Sequence, residues 1–398
     1  MSETSGIGER IRDVRKRRGL TQRDLAKLSG VSLSYVRKLE QDAYDGDVRL
    51  ETAHKLARVL EVPTSALIVG PDAARPERDA VDRWAPARRA LAGSPGTEVT
   101  GELTLAGLEA GVRAAVSAVL GSRYAELCLI LPDLLRDADA LVAASAGEAQ
   151  RQARQLRSRV RQVTAYMMGQ TWQFDTANEA IELAIGDAGD ELTEMAAADW
   201  KCWALLRQGR LTETAELASR WADDTEPRMS AATPAELAAW GRFLILISTA
   251  AVRDNRPEEA DEALRLARMA AAGLGRDIIP KFNPWQVFGP ATVAMVAAEN
   301  AMIRDQPGVA LSIGSRVVRQ GFPVPRNYHR HRLDVASAHT AVRQYPEAVA
   351  VLQEIRAAAP EWLVQQRYAA DILTRVIGHR RSLTAEVRDL AGFLHLPL

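Results

Sequence analysis

The sequence predicts an all-α protein in which a small amino-terminal domain of short helices precedes a long α-solenoid of helical hairpins. Apolar residues recur at helical spacing through most of the 398 residues, and no stretch alternates as a β-strand does. Several segments resemble one another, because each ends a helix at a small or polar residue and then starts another with alanines. We expect a domain at residues 1–70, a connector with a helix at 71–101, and the hairpin array at 102–398.

The amino-terminal domain carries clear helix boundaries between residues 19 and 41. Thr21 and Asp24 have the spacing of a capping box, and Gly30 supplies the left-handed residue that ends the helix begun there. Ser32 is placed to cap a second helix, whose apolar residues Val36 and Leu39 share one face. Two short helices joined by a tight turn with a glycine form a helix-turn-helix, whose second helix enters the major groove of DNA.

Residues 6–67 resemble the Xre or phage-repressor type of helix-turn-helix domain, through the segments RIRDVRKRRGLTQRDLAKLSGVSLSYVRKLE and RLETAHKLARVLEVPTSAL. The resemblance implies that Gln22 holds a backbone phosphate, that three residues of the second helix face base edges, and that two lie near the backbone. The base-facing residues are Leu33, Ser34 and Lys38; those near the backbone are Tyr35 and Arg37. Arg23 and Ser32 complete the predicted DNA-binding set. The loop from Asp42 to Asp47 is acidic where related domains often have a neutral or basic turn, which puts its usual phosphate contact in question.

Charge supports DNA binding only in this region. The whole chain is balanced, with 51 basic and 51 acidic residues. Between Arg10 and Lys38, however, there are ten basic residues and only two acidic ones, Asp13 and Asp24. DNA affinity depends largely on such phosphate-neutralising charge. The alternative interpretation is a solvated basic helix.

Composition sets the class of the protein and its compartment. With 47% apolar and 26% charged residues the chain is typical of globular proteins. Nothing resembles a signal peptide, and the longest apolar run, Phe243 to Val252, is too short to cross a membrane. We therefore expect a cytoplasmic protein without a membrane partner. Cys128 and Cys202 lie in helical patterns and are interpreted as free buried thiols.

The hairpin array shows an irregular internal repeat. We take as equivalent five positions that follow a turn; they are Ala180, Thr214, Ala260, Ala310 and Ala348. Only the first of their spacings matches the period of about 34 residues of a tetratricopeptide repeat. The array is therefore predicted to be a degenerate tetratricopeptide-like solenoid, with a generic helical bundle as the alternative.

With the segments at 123–141, 203–218 and 288–295, the chain as a whole resembles actinobacterial regulators that join an Xre domain to tetratricopeptide-like repeats. This layout is similar to that of peptide-responsive quorum regulators. The resemblance implies that the repeats bind a short signal peptide on their concave face.

The segment KFNPWQVFGP, residues 281–290, is the candidate ligand site in the array. It interrupts the helical pattern with two prolines and a glycine, and brings together aromatic and amide side chains. Aromatic rings supply contact area, and amides supply both a donor and an acceptor. The candidate residues are Phe282, Asn283, Trp285, Gln286 and Phe288. The alternative is a loop whose aromatics fill the core.

Other patterns predict no further chemistry. Trp200 and Trp203 are interpreted as a buried helix stripe, and His329 and His331 as a solvated basic patch rather than metal ligands. No phosphate-binding loop, GxGxxG, HExxH or GxSxG motif is present. We expect no cofactor, no metal and no enzymatic activity.

The combined prediction is a sequence-specific DNA-binding transcriptional regulator. It acts as a homodimer on an imperfect palindromic operator in double-stranded DNA, and its repeats sense a peptide or small-molecule effector. The alternative is an interaction scaffold, in which the repeats bind a protein partner and the helix-turn-helix tethers that partner to DNA.

Overall fold

The computed structural model describes residues 6–41, 48–68, 82–93, 103–281, 283, 286–317, 325–379 and 382–396. Throughout these ranges the prediction of an all-α fold is confirmed, and the only β-structure described is a single bridge between Ile278 and Phe288. The acidic loop at 42–47, residues 71–81 and 94–101 of the expected connector, and both Phe282 and Trp285 lie outside the described residues.

The chain forms a series of helices separated by short turns. The amino-terminal domain contains α1 (Ile7–Arg17), α2 (Gln22–Ser29), α3 (Leu33–Glu40), α4 (Leu50–Leu60) and α5 (Thr64–Leu67), and α6 (Ala85–Leu91) lies in the expected connector. The array contains α7 (Leu105–Leu120), α8 (Tyr124–Ala144), α9 (Gly147–Gln170), α10 (Phe174–Gly186), α11 (Glu191–Arg207), α12 (Leu211–Asp224), α13 (Pro234–Arg253), α14 (Pro257–Leu274), α15 (Pro290–Ile303), α16 (Pro307–Gly314), α17 (Pro325–Ala341) and α18 (Tyr345–Ala358). It ends with α19 (Pro360–Val364), α20 (Arg367–Gly378) and α21 (Ala385–Phe393).

The predicted helix boundaries in the amino-terminal domain are confirmed. Thr21 Oγ1 accepts the Asp24 amide at 3.1 Å, and the Asp24 carboxylate accepts the Thr21 amide at 3.0 Å, which completes the capping box. Gly30 ends α2 with φ 69°, and Ser32 caps α3 by accepting the Tyr35 amide at 3.3 Å. The helices enclose a small core that includes Ile11, Leu25, Val36, Leu56 and Leu60.

Six helical pairs of the array, from α7 and α8 to α17 and α18, have the same turn geometry. Each first helix ends in a Schellman motif, in which an amide two residues beyond the C-cap donates to a carbonyl five residues back at 2.8–3.0 Å. The left-handed residues of these six turns have φ between 54° and 75°. They are Ser122, Trp172, Gly209, Asn255, Asp305 and Arg343. Only one is glycine, so the repetition lies in the backbone rather than in the sequence.

One of the equivalences drawn from the sequence shifts by three residues. Thr214, Ala260, Ala310 and Ala348 are each the fourth residue of the second helix in a pair. The fourth residue of α10 is Ala177 and not Ala180, so the first spacing is 37, from 177 to 214, instead of 34. All of these positions are buried between helices, where small side chains permit close packing.

Helix α13 forms the centre of the array. Its length and apolar composition are those of a membrane-crossing helix, but 89% of its apolar window is buried by the surrounding helices. This is the pattern of a core helix in a folded domain. The apolar run from Phe243 to Val252 therefore packs against α12 and α14.

The amino-terminal domain docks on the turn between α13 and α14. The carbonyl oxygen of Arg253 accepts hydrogen bonds from His54 Nδ1 at 2.8 Å and from Thr64 Oγ1 at 2.6 Å. The Ser65 amide donates to the Asp254 carboxylate at 2.7 Å. We call this contact the junction. It connects α4 and α5 directly to the end of the central helix.

Candidate functional site

Helix α3 presents a polar face away from the core of its domain. Val36 and Leu39 are buried, whereas the predicted DNA-contacting side chains lie on the other faces of the helix. Those of Ser32, Ser34, Arg37 and Lys38 are exposed, and those of Leu33 and Tyr35 are partly buried. A helix held by its apolar side and capped at its amino end can offer this face to a DNA groove.

Some of the basic residues of this domain are paired with carboxylates and are not available to DNA. Arg15 is buried, and its guanidinium forms a bidentate pair with the Glu40 carboxylate, with both N–O distances 2.6 Å. Arg18 pairs with Glu61 at 2.7 Å. The sequence count included both cations as available to phosphate, but Arg15 serves the interior of the domain. Exposed cations such as Arg23 and Lys38 remain on the surface.

Gln22 contacts the same buried pair. Its Nε2 donates to Glu40 Oε2 at 2.9 Å, so the amide is oriented by the core of the domain while the residue stays partly exposed. Burial alone would raise the pKa of Glu40, but the hydrogen bonds from Arg15 and Gln22 outweigh it and lower that pKa. Glu40 is therefore a charged acceptor that fixes α1, α2 and α3 to one another.

A cavity of about 330 Å³ opens on the inner side of the helical array. Its wall is built by the first helices of five successive pairs, α9, α11, α13, α15 and α17, and it is closed by α19 and the loop before α15. A volume of this size suits a small organic ligand. The lining combines aromatic, aliphatic and charged side chains, and the charged ones form a network across the helices.

The network pairs three guanidinium groups with carboxylates. Arg242 on α13 binds Asp199 on α11, with N–O distances of 3.0–3.2 Å. Glu299 on α15 accepts from Arg253 at 2.6 Å and from Arg330 at 2.8 Å. Each ion pair joins two different helices of the cavity wall, so the network holds the inner helices in register.

Two carboxylates of the network lie close to the guanidinium of Arg330, but their pKa values are shifted in opposite directions. Burial alone would raise the pKa of Glu299, but the charges of Arg253 and Arg330 outweigh it and lower that pKa to about 2. Burial raises the pKa of Asp334 to about 7, against the attraction of Arg330, 3.7 Å away. The charge of Glu299 is therefore held by two guanidinium groups.

Aromatic side chains form one side of the cavity. Trp200 and Trp203 meet edge to face at 5.4 Å, and the Tyr166 ring lies 5.2 Å from that of Trp200. The guanidinium of Arg207 stacks over Trp203 at 5.4 Å. Of the predicted buried stripe, Trp200 is buried and Trp203 is half-buried, and both line the cavity.

The described residues of the predicted ligand segment separate into different environments. Gln286 lines the cavity. Asn283 is buried, its side chain acts to lower the pKa of Asp199, and no hydrogen bond to its Oδ1 is present. Phe288 is fully buried in the apolar core rather than in the cavity wall, against Gly241, where any added Cβ would meet the ring at 2.0 Å.

The prediction of a solvated patch at His329 and His331 is wrong. Both side chains are buried, with exposed fractions of 5% and 2%. The reason is that α17 packs against α15, α16, α18 and α20, so most of its surface is covered. His331 lines the cavity, and burial lowers its pKa to about 4, which makes the imidazole neutral near pH 7. The polar sequence of α17 gave no signal of this position.

Several other lining residues were not anticipated from the sequence. They are Arg207, Arg242, Arg253, Glu299, Arg330 and Asp334. Cys202 is buried and Cys128 partly so, and both are free. No group of three or more potential metal ligands occurs in the part of the chain that the structure describes.

Comparison with known proteins bears on the amino-terminal domain. A helix-turn-helix family model matches residues 11–67. The immunity repressor protein of Bacillus phage phi105 is 33% identical over 106 residues, covering 24% of this chain and 72% of the repressor. The crystal structure of Bacillus thuringiensis PlcR in complex with the peptide PapR7 and DNA aligns over 83% of this chain and 99% of that chain, with 12% identity and a TM-score of 0.38.

The capped helices α2 and α3, the family match and the repressor relative agree. The chain belongs to the Xre-type helix-turn-helix family of DNA-binding regulators.

Proposed function

We propose that this protein is a dimeric, sequence-specific transcriptional regulator whose helical array senses a ligand in the cavity and adjusts DNA binding. The proposal combines the DNA-binding class of the amino-terminal domain with an array that resembles tetratricopeptide repeats. We divide the chain at residues 70 and 101; the end of α5 at Leu67 supports the first boundary, whereas α6 of the connector packs against α8 of the array.

The exposed polar face of α3 is the observation that carries DNA binding. Lys38 and Ser34 lie free of the core on this face, and Arg23 is exposed at the start of α2. Lysine and serine side chains there can donate to base edges, whereas Arg23 and Gln22 suit phosphate oxygens. Gln22 has a second role in the fold, because Glu40 orients its amide.

Dimerisation follows from the small footprint of one such domain. A single recognition helix reads only a few base pairs, so paired domains gain both affinity and specificity. We place the dimer interface in the helical array and expect half-sites about 34–36 Å apart, or a multiple of this distance.

Ligand sensing is supported by the cavity and by its link to the junction. Arg253 forms part of the cavity wall through its side chain, and its carbonyl oxygen binds His54 and Thr64 of the DNA-binding domain. A ligand that changes the position of the α13 end would therefore act on α4 and α5. An effect of ten- to hundredfold on operator affinity requires about 1–3 kcal/mol of coupling.

The proposal is tested with the full-length protein. Bound genomic fragments identify the operator, sedimentation gives the oligomeric state, and fluorescence anisotropy measures operator affinity with and without the small-molecule fraction of a cell extract. We expect a dimer, an imperfect palindrome and an affinity that responds to the fraction. A monomer that binds one asymmetric half-site contradicts the proposed dimer. If this protein retains a large protein from the extract and its operator affinity does not respond to small molecules, the scaffold alternative is favoured.

A further inference from the structure

Arg207 differs from every other guanidinium in the cavity wall. It is the last residue of α11, and it forms no ion pair with any carboxylate among the described residues. Its Nε atom is buried without a hydrogen-bond partner. By contrast, Arg242, Arg253 and Arg330 all bind carboxylates.

The charges around the cavity therefore do not balance. Four guanidinium groups line it, and the carboxylates that meet them are Asp199, Glu299 and Asp334, which carry at most three negative charges because burial raises the pKa of Asp334 to about 7. Arg207 is the cation left over. The neutral His331 does not add to this charge, but both of its ring nitrogens also lack partners in the described structure.

The surroundings of Arg207 compensate its charge only in part. The guanidinium stacks on Trp172 at 4.9 Å and on Trp203 at 5.4 Å, and it lies at the negative end of α11. Arg367 stacks on the same Trp172 ring at 4.4 Å, which brings a second cation close. Burial, together with the charges of Arg330 and Arg367, lowers the pKa of Arg207 to about 10. The protein thus holds a cation at a position that disfavours it.

We propose that Arg207 binds the carboxylate of a small, mainly apolar acid held in this cavity. A carboxylate is the group that matches the planar donors of a guanidinium. The body of the acid would lie against Trp200, Trp203, Ile245 and Met295, which give the cavity its apolar side. This inference deepens the proposed sensing function and rests on it for its biological meaning, but not for its test.

Two sources share this chemistry: a free aromatic or aliphatic acid, and the carboxyl terminus of a short apolar peptide. Calorimetry on the purified full-length protein distinguishes them with matched probes. 1-Naphthaleneacetate and 1-naphthaleneacetamide differ mainly in charge, and a short apolar peptide can be compared with its carboxyl-terminal amide. Tighter binding of the naphthalene acid or of the free peptide identifies the source.

In the wild type we expect at least one carboxylate probe to bind about ten- to hundredfold more tightly than its amide. Arg207→Gln should remove this difference by weakening only the carboxylate probe. Arg210→Gln is the control. Arg210 lies three residues after Arg207, pairs with Glu213 on the surface and does not line the cavity. Three outcomes would overturn the inference. The wild type binds both acids no more tightly than their amides, neither carboxylate probe binds at millimolar concentration, or Arg207→Gln keeps the full preference for the carboxylate.

Thermal unfolding separates this role from a structural one. Removal of a half-buried cation that has no ion pair should leave the unfolding temperature unchanged or raise it, as is common for residues kept for binding. A marked fall for both Arg207→Gln and Arg207→Met, which retains the apolar stem, would indicate that the cation stabilises the fold and contradict the inference. These measurements contain no DNA. If operator affinity does not change when the ligand binds, only the proposed sensing function is refuted.

Discussion

Two arginines, Arg15 buried in the DNA-binding domain and Arg207 half-buried in the cavity wall, have opposite surroundings. Arg15 in the DNA-binding domain is met by both oxygens of Glu40, which also binds Gln22. Arg207 in the helical array is met by aromatic rings and other cations. The amino-terminal domain thus pairs its buried arginine and keeps the side chains predicted to contact DNA on its surface, whereas the array directs polar groups inward around a cavity. We interpret the paired arginine of the first region as structural and the arginine without an ion pair in the second as a binding group.

The largest expected effect on stability comes from breaking the ion pair between Arg15 and Glu40. Glu40→Ala leaves the Arg15 charge buried without its partner, so the free energy of unfolding of the DNA-binding domain should fall by about 3–5 kcal/mol. Urea unfolding measures this loss. The double variant Arg15→Met with Glu40→Leu removes both charges and should recover most of the stability. If Glu40→Ala were as harmless as we expect Arg207→Gln to be, the contrast between the two regions would not hold.

The next effect concerns the outer face of the recognition helix. Lys38→Ala should lower operator affinity by about 1–3 kcal/mol and relax the choice at one base pair, if this side chain reaches a base edge. Gln22→Ala should weaken binding to operator and random DNA alike, because a phosphate contact carries no sequence information. Anisotropy titrations with both DNAs measure the difference.

Lys27→Ala provides the matched control, since it removes an exposed lysine from α2 instead of α3. It should reduce both affinities equally or not at all. An equal loss on operator and random DNA for Lys38→Ala would exclude a base-reading role for Lys38.

A smaller, pH-dependent effect is expected at the junction between the two regions. Burial lowers the pKa of His54, and the charges of Arg58 and Arg253 act in the same direction. Below about pH 6.5 the unfolded chain binds a proton at this histidine that the native protein does not, so the free energy of unfolding should fall as the pH drops. Urea unfolding between pH 8 and pH 5 measures the slope.

His54→Asn keeps a donor near the Arg253 carbonyl but does not titrate, so its stability should depend less on pH than that of the wild type. Identical slopes for the two proteins would show that His54 does not contribute to the acid sensitivity of the junction.

The smallest effect tests the turns. Of the three left-handed positions described in the amino-terminal domain, Gly19 and Gly30 are glycine and Glu61 is not, whereas five of the six array turns described above lack glycine. Arg343 is exposed at φ 65°, so Arg343→Gly should relieve strain and raise the free energy of unfolding by up to about 1 kcal/mol. Arg343→Ala keeps a Cβ and should show little change. A lower unfolding temperature for the glycine variant would contradict this account of the turns.

The difference between the regions also explains what could be predicted from the sequence. Thr21, Gly30 and Ser32 act on residues within a few positions, so the helices of the amino-terminal domain are readable and their boundaries are confirmed. In the array the turns repeat a backbone conformation that serine, tryptophan and arginine also adopt here. The sequence therefore predicts hairpins correctly but places the first equivalence at Ala180 instead of Ala177.

The cavity was beyond sequence reasoning because its parts are far apart in the chain. Tyr166 and Gln366 both line it, 200 residues apart. His331 lies on a polar helix that resembles a surface helix by pattern, yet neighbouring helices cover it. In the segment before α15, Gln286 lines the cavity and Phe288 lies in the core, and the sequence pattern does not distinguish these two positions.

The junction has a consequence for how the protein can diverge. Both hydrogen bonds from His54 and Thr64 end on the main-chain oxygen of Arg253, whereas its side chain points into the cavity and binds Glu299. A carbonyl oxygen is present whatever side chain follows it. Substitutions at position 253 can therefore adapt the cavity to another ligand during evolution without removing the acceptor that attaches the DNA-binding domain.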